Sequence, residues 1–288
     1  MRIIGYSKAM YSTWIYLETL KLLVDAGEGL NTHLEGRLLS LRAVALTHGH
    51  TDHFTGLMNI LITRLRYHKD VEPLAPIDIF WPAGDTEIEL YLDYLGRTVL
   101  KRNPELARTV AVRPAERLPL EAARGLTLEP FSVTHRASLP SLGYRVLQER
   151  WRLKSELAGL PQSELNLIAR DHGKEGVADR YEVPLMVISG DCLPINPKWA
   201  EESDLLVHEA TFLGDSPEEA HSTVAQALAV WRESGASRLL LYHISSRFTK
   251  EEVAAELDQL LPNGDERAKV NFIVPGRLFS CELQLGGL

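Results

Sequence analysis

Three histidines and an aspartate crowd into the run His48-Gly49-His50-Thr51-Asp52-His53, directly after the apolar segment 41–47. Imidazole nitrogens and carboxylate oxygens are the ligands that suit zinc and similar borderline cations. His48 and His50 stand two positions apart, so in an extended segment both point to the same side. Asp52 and His53 follow where the chain turns into a helix. One short loop can therefore feed two ions, with His48 and His50 on one and Asp52 and His53 on the other. The plain alternative is a solvated polar loop, but chance seldom assembles ligands at this density.

Two ions need more donors, and other segment ends offer them. His135 follows Phe131-Ser132-Val133-Thr134, Asp191 follows residues 185–190, and His243 follows Leu239-Leu240-Leu241-Tyr242. Singly, each has an ordinary structural reading: a hydrogen-bonded histidine at a strand end, or a Gly-Asp turn. Jointly they complete a two-ion site in which one carboxylate is available to bridge.

These residues need strands to deliver them. Apolar patterning predicts strands at 1–5, 12–17, 21–25, 41–47, 77–81, 109–113, 126–134, 142–147, 185–189, 204–208, 238–242, 270–274 and 278–285. It predicts helices at 56–67, 86–101, 221–234 and 250–261. Residues 148–181 are charged and weakly patterned, and read as two short helices. Many neighbouring strands lack the helix that a parallel crossover requires, which favours mixed sheets. The chemically loaded residues follow strand ends, along one edge where loops build sites.

The chain has 288 residues, 45% of them hydrophobic and 24% charged. That excludes a collagen, a coiled-coil rod and a mostly disordered chain. No apolar run reaches the length of a membrane span. The first residues lack a basic start, an apolar block and a cleavage site, so no signal peptide is expected. The two cysteines, Cys192 and Cys281, make no disulfide framework, and a cytoplasmic location is expected. The net charge of −8 argues against a nucleic-acid coat but leaves room for a local basic track.

The H-x-H-x-D-H run resembles the metallo-β-lactamase superfamily. Further stretches narrow the likeness: Gly143-Tyr144-Arg145, Ser189-Gly190-Asp191, His208-Glu209-Ala210-Thr211-Phe212, His221-Ser222-Thr223, and Tyr242-His243-Ile244-Ser245-Ser246-Arg247-Phe248. In this order they resemble ribonuclease Z, the endonuclease branch that matures tRNA 3′ ends, and Glu28 fits that branch's early Asp-x-Gly-Glu segment. The resemblance implies an α/β fold, a four-layer αββα sandwich of two mixed sheets flanked by helices. It implies one domain over 1–288, with 146–183 as an inserted charged arm. It implies that His48, His50 and His135 hold one zinc, that Asp52, His53 and His243 hold the other, and that Asp191 bridges. Manganese or iron would suit the same donors. A hydroxide shared between the ions is the implied nucleophile, and Asp52 can also take the proton of the attacking water. His221 is the candidate general acid, oriented by Glu209, with helix capping as its competing role. A salt bridge to arginine is the competing role of Glu209. Arg247 either contacts the substrate phosphate or pairs with a carboxylate. His208 reads as a core histidine. The implied partners are precursor tRNA, or another phosphodiester, and a second copy in a homodimer, with no membrane.

The sequence also departs from that branch. Gly159-Leu160-Pro161-Gln162-Ser163-Glu164 lacks the arm's Gly-Pro signature, and the arm's cations are nearly cancelled by acids. Gly5-Tyr6-Ser7-Lys8-Ala9-Met10 replaces the usual opening turn, and Cys192 stands where threonine is usual, read as a buried thiol. A denser basic stretch, Arg97, Lys101, Arg102, Arg108, Arg113, Arg117 and Arg124, either tracks an RNA backbone or is thermophile-style surface charge. Two rival readings are a hydrolase of a small ester (cyclic nucleotide, lactone or aryl sulfate) on the same metal centre, and a non-catalytic metal-binding scaffold.

Overall fold

The computed structural model describes residues 1–70, 73–136, 138–214 and 220–286, with only the backbone of residues 69 and 70. Its strands are β1 (Arg2–Lys8), β2 (Ser12–Leu17), β3 (Leu22–Val24), β4 (Ala43–Ala45), β5 (Ile77–Pro82), β6 (Ala107–Val112), β7 (Leu118–Pro119), β8 (Leu126–Ser132), β9 (Leu142–Leu153), β10 (Ala178–Ile188), β11 (Leu205–Glu209), β12 (Leu239–Tyr242), β13 (Val270–Phe272) and β14 (Phe279–Glu282). They form two seven-stranded sheets, ordered β14-β1-β2-β3-β4-β5-β6 and β13-β12-β11-β10-β9-β8-β7. Read from β14 and from β7, each sheet runs through antiparallel pairs and then parallel ones. The two sheets thus share a pairing pattern, although the sequence shows no internal repeat.

Successive side chains on a strand point to opposite faces. Ile15 and Leu17 of β2 accordingly enter the core between the sheets, while Trp14 and Tyr16 face the helices. Leu240 and Tyr242 of β12 face inward, and Leu239 and Leu241 outward. Burial on both faces explains why these strands read as continuous apolar runs. The helices Leu57–Asp70 and Thr86–Arg97 cover the first sheet through Leu57, Ile60 and Leu61 and through Ile88, Leu92 and Leu95. The helices Val224–Ser234 and Lys250–Leu260 cover the second through Leu228 and Trp231 and through Val253 and Leu257. The four-layer αββα arrangement is therefore the observed one.

Two segments differ from expectation. The helix expected to open at His221 begins at Val224, because Thr223 and Gln226 form a reciprocal capping box. Thr223 takes the capping role, and His221 lies in the preceding loop. The expected pair of short helices between 148 and 181 is present, as Gln162–His172 and Lys174–Val177, but it fills only part of that segment. The β9 strand runs on to Leu153 and β10 starts back at Ala178, so a two-stranded ribbon carries the helix Gln162–His172. Cross-strand contacts hold this ribbon where apolar alternation is absent: Arg180 pairs with Glu149, Arg152 lies over Tyr181, and Lys174 lies over Trp151. Such pairs stabilise strands without a core of their own, so hydrophobic periodicity missed them.

Tyr144 ties the two sheets together beside the ligand loop. Its side chain is buried, and its hydroxyl donates to the Leu46 carbonyl at 2.7 Å. Tyr144→Phe removes that donor from a buried carbonyl and is expected to lower the unfolding free energy by about 1–3 kcal/mol. A urea titration with unchanged m-value checks this; an unshifted midpoint would refute it.

Candidate metal centre

The parallel strands end along one edge, and the ligand candidates leave from those ends. The chain exits β3 at Asp25, β4 toward His48, β8 toward His135, β10 toward Asp191 and β12 at His243. Asp25 (φ 58), Gly190 (φ 69) and His243 (φ 56) are left-handed, which turns the backbone sharply out of the sheet. The loop 48–53 is pinned from both sides. Ala26 N–H donates to the His53 carbonyl at 2.6 Å, and Gly56 N–H to the Ala26 carbonyl at 2.7 Å.

All seven expected ligands meet. Donor atoms of His48, His50, His135 and Asp191 lie within 4.8 Å of one another, as do those of Asp52, His53 and His243. His50 Nδ1 stands 2.9 Å from His48 Nε2 and 3.3 Å from His135 Nε2. Asp191 Oδ2 lies between the groups, 3.8 Å from His48 Nε2, 3.3 Å from His53 Nε2 and 3.1 Å from His243 Nε2. Asp52 Oδ2 is 3.6 Å from His53 Nε2 and 3.8 Å from His243 Nε2. A tetrahedral ion with bonds of about 2.0–2.1 Å spaces its ligand atoms at about 3.3 Å, so these separations fit a bound cation. The buried His53 Nε2, His243 Nε2 and Asp191 Oδ1 have no hydrogen-bond partner. Leaving such atoms unsatisfied is costly, and a metal ion supplies the missing partner.

The opposite ring nitrogens are anchored. His53 Nδ1 meets Asp25 Oδ2 at 2.7 Å, His48 Nδ1 meets Thr47 Oγ1 at 2.9 Å, His135 Nδ1 meets the Ala220 carbonyl at 2.9 Å, and His243 Nδ1 meets Thr211 Oγ1 at 3.0 Å. Such contacts fix ring orientation and ligand basicity. Asp25 also accepts from Thr47 N–H at 2.8 Å. Asp85 does two jobs: it caps the helix Thr86–Arg97 by accepting from Ile88 N–H, and its carboxylate packs against Gly49, between two candidate ligands. A Cβ at Gly49 would run into that carboxylate, so glycine is required there. Sequence reasoning passed over Asp25, Thr211 and Asp85. The only local signal was an aspartate directly after a strand, in Asp25-Ala26-Gly27-Glu28.

Electrostatics divides the two groups. Burial pulls the His48 imidazole well below its usual pKa, and burial with the neighbouring His135 pulls His50 down to about 4. Burial lowers His135 likewise. These three rings keep their lone pairs at neutral pH. Burial opposes charge on His53, yet Asp191 and Asp25 outweigh it and hold that ring well above the usual range. Burial also opposes ionisation of Asp191, but His243 and His53 draw it well below the carboxylate range. In the absence of a cation, His53 therefore carries the charge that balances its carboxylates.

Glu209 is wholly buried and accepts from Cys192 N–H (3.0 Å), Ser222 N–H (3.2 Å), and Thr211 N–H and Oγ1 (both 2.9 Å). Its Oε1 lies 2.8 Å from His221 Nδ1. No arginine pairs with it among the described residues. The His221 ring packs on both groups, 4.8 Å from His135 and 5.4 Å from His243 between centroids. His208 is buried and bonds to backbone, and Cys192 is a buried thiol outside the ligand groups. Arg247 is exposed, with its guanidinium over Phe212 and its Nε donating to Ser245 Oγ. Three of the seven cations of the dense basic stretch are in ion pairs: Arg97 with Asp93, Arg108 with Asp78 and Glu121, and Arg117 with Glu129 and Glu182.

Two mixed sheets, helices outside, and a histidine-aspartate cluster along one edge define a hydrolase of the metallo-β-lactamase fold. Solved structures with this fold overlay nearly the whole chain. The metallo-β-lactamase fold protein YhfI from Bacillus subtilis matches with a TM-score of 0.64 at 16% identity, over 97% of this chain and 99% of its own. The short form of human tRNase Z matches with a TM-score of 0.62 at 21% identity, over 98% and 100%. The ribonuclease Z of Pyrobaculum neutrophilum is 32% identical over 262 residues, 84% of each chain, and that of Gemmatimonas aurantiaca is 29% identical over 275 residues, 84% of this chain and 82% of its own. The chain belongs to the ribonuclease Z family. No family model matches it. Among the described residues, no helix is long and apolar enough to cross a membrane.

Asp25→Asn keeps the shape but removes the charge behind His53. It is expected to weaken metal retention about 10–100-fold, as outer-shell substitutions do. Competition with a graded series of chelators measures this, and wild-type retention would rule out the anchoring role.

Proposed function

We propose that this protein is a metal-dependent phosphodiester hydrolase that removes the 3′ trailer of precursor tRNA by endonucleolytic cleavage. The observation that carries the reading is the Glu209–His221 pair standing over the ligand cluster in a chain of the ribonuclease Z family. The two curated relatives named above are both ribonuclease Z, which favours this reading over the small-ester alternative. In this reading His48, His50 and His135 would hold one zinc ion and Asp52, His53 and His243 a second, with Asp191 available to both. When bound, such a pair lowers the pKa of water toward about 7 and neutralises charge as the phosphorus becomes five-coordinate.

The chain's own residues handle the protons. Asp52, buried but lining an open hollow, accepts the proton of the attacking water through Oδ2. His221 delivers a proton to the departing sugar oxygen through Nε2, because Nδ1 is engaged by Glu209. A buried carboxylate facing an imidazole favours the protonated ring that a general acid requires. Arg247 contacts a substrate phosphate; among the described residues no carboxylate pairs with it. The reading extends to one domain whose arm, residues 146–183, meets the RNA, and to a cytoplasmic homodimer. Leu90 and Tyr94, exposed one turn apart on the helix Thr86–Arg97, are apolar surface that a second copy would cover.

His221→Ala is expected to cut kcat on precursor tRNA about 10²–10⁴-fold. Glu209→Gln should reduce it less and move the alkaline limb of the pH profile to lower pH, since the proton on His221 is then held less firmly. Unchanged turnover in His221→Ala, or turnover of bis-p-nitrophenyl phosphate by the wild type without RNA cleavage, would sink the reading.

A further inference from the structure

Most of the arm's cations and three of the seven in the basic stretch are occupied by ion pairs or ring contacts, and a separate set of cations stands beside the metal ligands. Three chain segments meet beside His243. Its N–H donates to Ser7 Oγ at 2.9 Å, at the end of β1, and Gly276 N–H donates to the Ser7 carbonyl at 3.1 Å. Ser7 therefore joins the ligand loop after β12, the turn 274–277 after β13, and the tip of the β1–β2 hairpin. Each segment carries a cation: Lys8 on the hairpin, Lys250 behind the ligand loop, and Arg277 on the turn. Lys8 Cδ packs 3.6 Å from the Cβ position of Gly276. Among the described residues none of the three is in an ion pair.

The hairpin tip adds a ring. Met10, at φ 71, turns the chain, and its side chain is 87% exposed; Tyr11 is 60% exposed. Lys8 Nζ lies 4.1 Å from the centre of the Tyr11 ring, so charge and aromatic surface form one platform. Hollows flank this tip. One, of about 500 Å³, is lined by Met10, Tyr11, Glu28, Thr55 and Asp52, a member of the ligand cluster. The other, of about 530 Å³, is lined by Phe248, Lys250, Glu251, Pro275 and Arg277. Glu28 and Glu251 are the opposing charges, one in each hollow. Both volumes suit a small ligand or a single nucleotide, far below a duplex.

We propose that the hairpin tip 8–11, Lys250 and the turn 274–277 form a shelf that binds the single-stranded part of the RNA where it enters the metal centre. Tyr11 stacks on a base, and Lys8, Lys250 and Arg277 contact successive phosphates. This rests on the RNA-cleaving reading and names the surface that reading requires. A stem offers no free base faces, whereas an unpaired strand offers one per nucleotide, and cationic grooves with aromatic platforms are how single strands are held without base-specific contacts. The chain's net charge of −8 makes such local concentration necessary for any attraction to a polyanion.

The test is anisotropy binding of a short 2′-O-methylated oligouridylate to the full-length, metal-loaded protein across a salt series. Lys250→Ala with Arg277→Ala should weaken binding and lower the slope of log Kd against log salt by about 1.4, or about 0.7 per cation lost from a single-strand site. Tyr11→Ala should weaken binding about 5–150-fold with an unchanged slope, since stacking is not counter-ion linked. All three positions lie at the surface, and Arg124→Ala on the far edge serves as the control. Wild-type affinity and slope in the double variant, no binding by the wild type, or equal loss of duplex RNA binding in the variants would each overturn the shelf. If the variants behave as expected while the wild type leaves precursor tRNA uncut, the shelf stands and the tRNA-processing reading falls.

Discussion

Five imidazoles and two carboxylates share a space where most of them touch no water. Each lone pair there has given up hydration, and several have nothing in exchange: His53 Nε2, His243 Nε2 and Asp191 Oδ1 have no hydrogen-bond partner. Unpaired polar atoms in low dielectric are among the most destabilising features a fold can carry. A cation reverses the balance, since the same lone pairs become its ligands. Much of the surrounding architecture can be understood as the scaffold that keeps these groups together until a cation joins them.

That scaffold is built from strand ends. Parallel strands of both sheets finish along one edge, and left-handed residues at Asp25, Gly190 and His243 aim the chain into the cluster. A second layer then sets the rings. Asp25 serves His53 and Thr47, Thr211 serves His243 and Glu209, and Asp85 ties a helix N-terminus to Gly49. Because each anchor has two partners, a change in one is expected to disturb both. Glu209 is the strongest example. Its carboxylate accepts from backbone and side-chain donors on three segments while facing His221. It holds the loop and the candidate acid in one arrangement.

The same structure shows where this chain departs from its family's usual sequence features. The arm lacks the Gly-Pro signature and binds its cations within its own ribbon. In place of the usual opening turn stands a hairpin whose tip exposes Met10 and Tyr11. A site so similar in its donors and so different at its rim separates two requirements. Bond cleavage constrains the cluster tightly, whereas the hold on the substrate can be rebuilt from whatever surface surrounds it.

The candidate ligand set and the kinds of element that carry it are legible in the sequence alone. Density in the run 48–53, a His or Asp after each apolar segment, and strand or helix periodicity are all local, and local signals survive in one dimension. It missed the continuation of β9 and β10 into the arm, because charge and ring pairs between strands leave no apolar alternation to read. Only the tertiary structure decided which nitrogen of each ring faces the cluster, that Asp25 stands behind His53, that Thr223 rather than His221 caps its helix, and which cations remain outside ion pairs. Those outcomes depend on partners far apart in the chain, as with Ser7 and His243, 236 residues away. The packing of two sheets face to face sets such distances, and no spacing in the sequence encodes them.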